Sequence, residues 1–480
     1  MSVGSGKRVG EGNRSDLGDG RVMGSPKKSL VSGWAWRALA IAGLCVALSA
    51  TCATVASASG RVRSDKKSQS AHLVWWFWGT GDVPGILKWL QSEGKTYKKA
   101  HPGVSVTIVP QATTTLIGAF QTAASSKSGP TIATQWATLP TLTPVWEGDV
   151  TPVTSLVKKK TIATWLNTSE NTYKKKLWAV PIYLLGTPFV WNKSLFKKAG
   201  LNPTNGPKTW GQFISDCAKL KAAGIVPIVS GDKTGAIGAW LLGLVGDQGL
   251  NSVKQIEELA TGKYSLDSKA YRTGFGKIDQ LIKRGYFNSN VSSITLTQAW
   301  QQFAQGKGAM TWATDGQTLA MQKVLPAGAE GVEKTPVWGR GKLAGYYDVT
   351  QSSDEFITSW AGNKPAAAAF LSWLKEPKQV NSFYSTLGAF PASKEFAASK
   401  VTDPLAKQLY TLDTGKRQVW TENFWPPQVT TNGVRPALET MFTGASVTAT
   451  IKSIQQSFAT WRQEQPTQLR YFTRWVKSQS

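Results

Sequence analysis

From His72 onward the chain alternates strand-like and helix-like segments, and this alternation limits the architectures open to it. "LVWWFW" (73–78) is branched and aromatic, the composition of a strand. "PGILKWLQSEGKTYKKA" (84–100) places Ile86, Leu90 and Tyr97 at i, i+4 and i+11 of a helix, with Pro84 where a first turn tolerates it. "VSVTIVP" (104–110) puts Val104, Val106 and Ile108 on one face of a second strand. "TLIGAFQTAASS" (115–126) reads as a helix and "TIATQWA" (131–137) as a third strand. Strand, helix, strand, helix, strand predicts a parallel sheet with helices on both faces. Rings on both faces of the first strand fit a sheet buried on both sides. Ligands of such sheets sit beyond the carboxyl ends of the strands, here Gly79 to Asp82 and Gln135 to Thr138.

The middle of the chain is richer in helices. "TWGQFISDCAKLKAAGI" (209–225) opens with Thr209 as N-cap and stops at Gly224. A long helical run begins near Asn363, and another follows "TGAS" (443–446). There is no internal repeat.

With 480 residues, 41% hydrophobic and 10% aromatic, the chain can bury a substantial core. Its net charge of +26 comes from 55 basic against 29 acidic residues. Nucleic acid is the usual partner of such a charge, but the lysines are scattered in pairs and triplets such as Lys158-Lys159-Lys160, without a nucleic-acid-binding motif. No nucleic-acid partner is therefore expected. Tolerance of acid, contact with an anionic cell wall, or an anionic ligand account for the charge better. The body holds one cysteine, Cys217, and two histidines, His72 and His101. That excludes disulfides within the body and any cysteine-based zinc site, and no cofactor is expected.

Residues 1–58 read as a leader and signal segment. The apolar stretch 38–50 has the length of a signal h-region, flanked by Arg37. Cleavage after Ala58, within "ASAS", is one option; lipidation of Cys52 is the other, although "LSAT" departs from a lipobox. Met1 and Met23 are both possible starts. Residues 59–71 read as a flexible linker. The body is therefore placed outside the cytoplasmic membrane, secreted or held at the membrane surface by a lipid anchor.

Several motifs in order resemble the extracellular solute-binding proteins of ABC importers, in the maltose-binding-protein-like carbohydrate group. "LVWWFWGTG" looks like the first strand of that family, and "AHPGVSVTIVP" is similar to its "HPGIKV" strand. "LWAVPIYLLGTPFVWNKSLFKKAGL" resembles the crossover "LYGLP…YNKDLFKKAGL", with Trp191 where Tyr is usual. "PKTWGQFISDCAKL", "FAQGKGAMTWATDGQ" and "KPAAAAFLSWLKEPKQ" match further pieces, so the likeness runs through roughly 72–465. Pro130-Thr131 stands where Pro-Asp is usual, and Gly316-Gln317 replaces a Ser-Trp, so ligand identity does not transfer.

The resemblance implies a two-lobed α/β fold, with crossing strands joining the lobes and a ligand cleft between them. It places lobe one at 72–184 and 319–348 and lobe two at 187–316 and 352–480. Hinges are expected near Leu185-Gly186-Thr187, Gly316 and Val349-Thr350. The implied function is capture of a sugar or oligosaccharide by hinge closure and delivery to the permease subunits of an ABC importer, as a monomer and without chemistry. Flat rings and groups that both donate and accept suit sugars. On that basis the candidate ligand residues are Trp78, Thr80, Gln135, Trp136, Tyr183, Gly186, Trp240, Asp315, Gln317, Tyr346 and Tyr347, with Trp425 a more distant choice. Core or surface packing is the ordinary alternative for each. Two rival readings stand beside this one. A secreted glycoside hydrolase would draw two carboxylates from Asp82, Asp315, Asp348 and Glu422. A wall or polyanion adhesin would use the positive charge.

Overall fold

The computed structural model describes residues 70–351, 353–415 and 420–479. The signal segment, Cys52 and the cleavage site after Ala58 lie outside the described residues. Strand β1 (Ala71–Phe77) is flanked in parallel by β2 (Val104–Pro110) and β3 (Ile132–Gln135). Helix α1 (Ile86–Ala100) and helix α2 (Leu116–Ser126) make the two crossovers. This is the alternation expected from the sequence. Trp75 and Phe77 are fully buried on the face covered by α1, and Trp75 meets Phe370 edge-on at 6.1 Å. Trp76, on the opposite face, is half-buried.

The sheet is completed from far along the chain. The strand Asp354–Thr358 runs antiparallel to β3 and to Val150–Thr151. A Glu355 carboxyl oxygen accepts from Trp75 Nε1 at 2.7 Å, tying that strand to the first. The helices Lys364–Trp373 and Pro377–Leu387 then join α1 over this sheet, with Trp89 edge-on to Phe383 at 5.1 Å. Pro377 divides what the sequence presented as one long helix, since a proline fits only the first turn of the second.

A second sheet has Phe189–Asn192 at its centre, antiparallel to Met310–Trp312 and to Glu330–Glu333. It lies in a separate, larger core with the helices that run from Trp210–Ala222 onward and with those after Pro404. Between the two sheets, Leu184–Gly186 pairs antiparallel with Val349–Gln351. The fold is thus two α/β lobes joined by crossing strands.

Strand pairing corrects the expected lobe boundaries. Glu330–Glu333 bonds to Phe189–Asn192, so 319–348 does not belong with the first sheet. Asp354–Thr358 bonds to β3, so the segment after 352 returns to the first sheet and not to the second. Nor does the chain change lobes at Gly316, because the strands before and after it are both in the second sheet. The third passage lies within 388–403, where the Phe390 carbonyl accepts from Leu184 N at 2.9 Å. Sequence order alone did not reveal this, because hydrogen-bond partners decide a strand's sheet.

Candidate functional site

A cavity of about 270 Å³ lies between the lobes, at the carboxyl end of β1 and β3. The first lobe contributes Trp78 and Trp136, with ring centroids 5.2 Å apart and nearly perpendicular. Trp78 follows the last residue of β1, and its indole N–H donates to Thr113 Oγ1 at 2.8 Å. Gly79 has φ 136°, and a side chain there would stand 2.7 Å from the Tyr183 hydroxyl, so the turn that presents Trp78 requires glycine. Trp136 follows β3. Its carbonyl accepts from Thr141 Oγ1 at 2.8 Å, and Thr138 takes a left-handed φ of 64° to turn the chain into the next helix.

The second lobe contributes Trp240, Trp300 and Trp420. Trp240 projects from the helix Ala236–Leu244, whose Gly238 N–H donates to Asp232 at 3.0 Å. Trp300 sits on Leu296–Ala304, a helix started by a capping box between Thr295 and Gln298; its indole N–H donates to the Trp312 carbonyl at 2.8 Å. Trp420 lies edge-on to Trp240 at 5.4 Å. A π-helical turn, Thr430–Val434, then feeds the helix Arg435–Phe442. That wide turn brings Thr430, Thr431 and Arg435 to the cavity wall. Arg435 Nε and Nη2 both donate to Glu422 Oε1, at 2.7 and 2.6 Å. The same guanidinium lies 5.7 Å from the Trp136 ring of the opposite lobe.

Thus five tryptophans line the cavity, with hydroxyls of Thr113, Thr234, Thr295, Thr297 and Thr350 and the amide of Asn423 among them. Flat apolar faces alternate with groups that donate and accept, a surface matched to a ring bearing hydroxyls.

Of the residues singled out from the sequence, Trp78, Trp136 and Trp240 meet at this cavity. The others do not line it. Thr80 is exposed on the turn. Gln135 is buried and lines a smaller adjoining pocket, and its Oε1 has no hydrogen-bond partner among the described residues. Tyr183 is wholly buried in the first core, where its hydroxyl donates to Asp82 at 3.2 Å. Gln317 turns toward the first lobe and donates to the Gly81 carbonyl at 2.7 Å. Tyr346 packs on the second core. Trp425 is also core, fully buried against Phe458.

Gly186, Asp315 and Tyr347 form a different constellation. Gly186 N–H donates to Asp315 at 2.5 Å, and the Tyr347 hydroxyl donates to the same carboxyl at 3.3 Å. The Asp413 carboxyl, on the helix Pro404–Asp413, faces the same point beside Gly186. Gly186 is glycine because a Cβ there would overlap the Asp413 carboxyl and stand 2.6 Å from Asp315 and Tyr347. Its small size serves this knot rather than a ligand. Burial raises the Asp315 carboxyl to about 6, partly offset by these hydrogen bonds. Burial, and then the charge of Asp315, push Asp413 well above the carboxylate range.

Sequence reasoning missed Trp300, Trp420 and Arg435, and it met Glu422 only as a catalytic candidate. Trp300 stands four residues after Leu296 behind the Thr295 cap, a helical face that can be read from the sequence. Nothing local distinguishes Trp420 from Trp425, because only the tertiary fold buries one and leaves the other half-exposed at the cavity.

The family profile of bacterial extracellular solute-binding proteins matches residues 81–381. The sn-glycerol-3-phosphate-binding periplasmic protein UgpB of Yersinia enterocolitica is 51% identical over 49 residues, 9% of this chain and 11% of that protein. Its namesake in Shigella flexneri is 25% identical over 271 residues, 53% of this chain and 58% of that protein. The chain therefore spans less than two thirds of these curated relatives. Among solved structures, a chitin oligosaccharide binding protein superposes with a TM-score of 0.74 at 19% identity, covering 81% of this chain and 98% of that one. At that identity the likeness shows the fold.

Proposed function

Because the chain belongs to the bacterial extracellular solute-binding proteins, we propose that it is the extracytoplasmic binding component of an ABC importer. It captures a sugar or short oligosaccharide and delivers it to the membrane permease. The observation that carries this reading is the tryptophan-lined cavity between the lobes. Its volume of about 270 Å³ lies near the lower end of ordinary small-molecule sites and suits one or two sugar rings.

Ligand stacks on Trp78 and Trp136 from one lobe and on Trp240 and Trp300 from the other. It contacts both sets only when the lobes approach, so its differential affinity shifts the population toward the closed form. The pair Leu184–Gly186 and Val349–Gln351 is where the backbone bends. The closed form is the one presented to the permease. The protein acts as a monomer, exported by its signal segment and, if Cys52 is lipidated, tethered to the membrane surface.

No bond is made or broken in this reading. Of the four carboxylates from which a hydrolase would draw its pair, Asp82 and Glu422 line the cavity and Asp315 and Asp348 do not. Glu422 is engaged by Arg435. A thermal-shift screen with mono- and oligosaccharides tests the proposal, since a ligand specific to the native state raises Tm by mass action. A rise with a neutral sugar, without release of reducing ends and little altered by salt, is expected. No rise with any sugar, hydrolysis of an oligosaccharide, or binding to a polyanion that collapses with salt would each refute it.

A further inference from the structure

We propose that Glu422 makes this a cavity for uncharged ligands, by occupying the cationic side chain that would otherwise receive an anion. The proposal deepens the sugar-binding reading and rests on it.

The chain carries a net charge of +26, yet that charge does not converge on the cavity. Among the described residues that line it, the ionisable side chains are Asp82, Glu422 and Arg435, and there is no lysine. Arg435 is the group to which a phosphate or carboxylate would dock, because its planar fork matches both. The Nε/Nη2 edge of that fork is already taken. Two of its nitrogens, Nε and Nη2, point at one oxygen of Glu422, at 2.7 and 2.6 Å. Both partners are largely shielded from water, with side chains 14% and 10% exposed.

The remaining face of the guanidinium lies over Trp136. An anion docking on that edge would have to displace a buried carboxylate from its partner and leave it unpaired, which is costly. It would also meet a lining whose formal charge is negative, two carboxyls against one guanidinium. A neutral polyol meets neither obstacle. It stacks on the rings and hydrogen-bonds to threonine hydroxyls, leaving the ion pair intact. The charge that the sequence offers as a possible match for an anionic ligand is thus not collected at this cavity.

The UgpB relatives carry a name that specifies a phosphorylated ligand, which makes sn-glycerol 3-phosphate an apt anionic probe. Glu422→Gln removes the charge that holds Arg435 while keeping the shape of the side chain. The test uses sn-glycerol 3-phosphate and inorganic phosphate as anionic probes on the full chain, with binding followed by thermal shift and calorimetry.

The wild type is expected to show no shift with either probe. Glu422→Gln is expected to gain affinity for both by about tenfold or more, the worth of one charge-assisted contact. The double variant Glu422→Gln/Arg435→Gln should lose that gain. Anion binding by the wild type, or a Glu422→Gln protein that rejects anions as the wild type does, overturns the proposal. So does a gain that persists in the double variant. Should Glu422→Gln fail to fold, the wild type decides alone, with anion binding refuting the proposal and anion rejection beside neutral-sugar binding upholding it. A wild type that binds neither sugar nor anion refutes the sugar reading itself, an outcome distinct from all of these.

Discussion

Asp315 and Asp413 face each other beside the backbone of Gly186, two buried carboxyls meeting where the crossing strand Leu184–Gly186 passes between the lobes. Burial disfavours the charged form of each, and the charge of Asp315 raises Asp413 further, so the pair retains a proton above the usual carboxylate range.

This pair makes stability depend on pH with a definite sign. In the unfolded chain both groups release their protons near pH 4. In the folded protein Asp315 does so only near 6, and Asp413 is held well above its ordinary value. Between these values the folded state binds more protons than the unfolded one, so stability falls as pH rises. Asp232 and Asp247, raised by burial to about 7, act in the same direction. Lys375, lowered by burial to about 7, acts the opposite way but only above neutrality, where its contribution grows with pH. Thermal denaturation should give a higher Tm at pH 5 than at pH 7, and Asp413→Asn should flatten that slope. A Tm that climbs steadily from pH 5 to pH 7 would contradict the assignment.

Gly186→Ala tests the same knot sterically. The added methyl would overlap the Asp413 carboxyl and crowd Asp315 and Tyr347. A loss of about 1–3 kcal/mol in unfolding free energy is expected from overpacking of this kind. Denaturant titration measures it, and an unchanged midpoint would show that the knot is loose.

Among the tryptophans, position in the fold should separate binding from stability. Trp240→Ala and Trp78→Ala should weaken sugar binding by roughly 10- to 100-fold, about 1.4–2.8 kcal/mol, with a small change in the Tm of the unliganded protein. Trp425→Ala should do the reverse, costing about 3–5 kcal/mol of stability because it empties a fully buried site against Phe458. Calorimetry of both kinds on the same variants distinguishes the two outcomes.

The C-terminal helix Pro466–Ser478 belongs to the second core, but it touches the first lobe. Tyr471 stacks on Trp146 at 6.0 Å, and Gln468 donates to Glu147 at 2.6 Å. Removing both contacts with Tyr471→Ala/Gln468→Ala should favour the open form without ligand. A larger radius of gyration in solution scattering and a roughly fivefold weaker sugar affinity are expected, the worth of about 1 kcal/mol. An unchanged radius would mean that the helix does not restrain opening.

The first sheet was legible in the sequence because its strands and helices follow one another directly, so periodicity alone places β1, α1, β2, α2 and β3. The membership of Glu330–Glu333 and Asp354–Thr358 was not, because both are short and their partners lie over a hundred residues away. The site divides in the same way. Trp78 and Trp136 follow from the rule that ligands gather at the carboxyl ends of strands. Tyr183, Tyr347 and Asp315 look like ligand groups in sequence because the crossover and the family-like motifs place them near the expected cleft. The fold instead joins Tyr347 and Asp315 to each other at Gly186 and Tyr183 to Asp82. Arg435 and Glu422 gain meaning only as a pair, thirteen residues apart across a π-turn.

Asp354–Thr358 occupies an interior position of the first sheet, between β3 and Val150–Thr151. The first lobe cannot finish its own sheet until the chain has extended beyond residue 358, long after its other strands exist. Contacts this distant in sequence slow folding. Under the export proposed for this protein, that delay is useful. The amino-terminal portion stays threadable while most of its length is still being made, and no truncation at a single point yields a complete lobe.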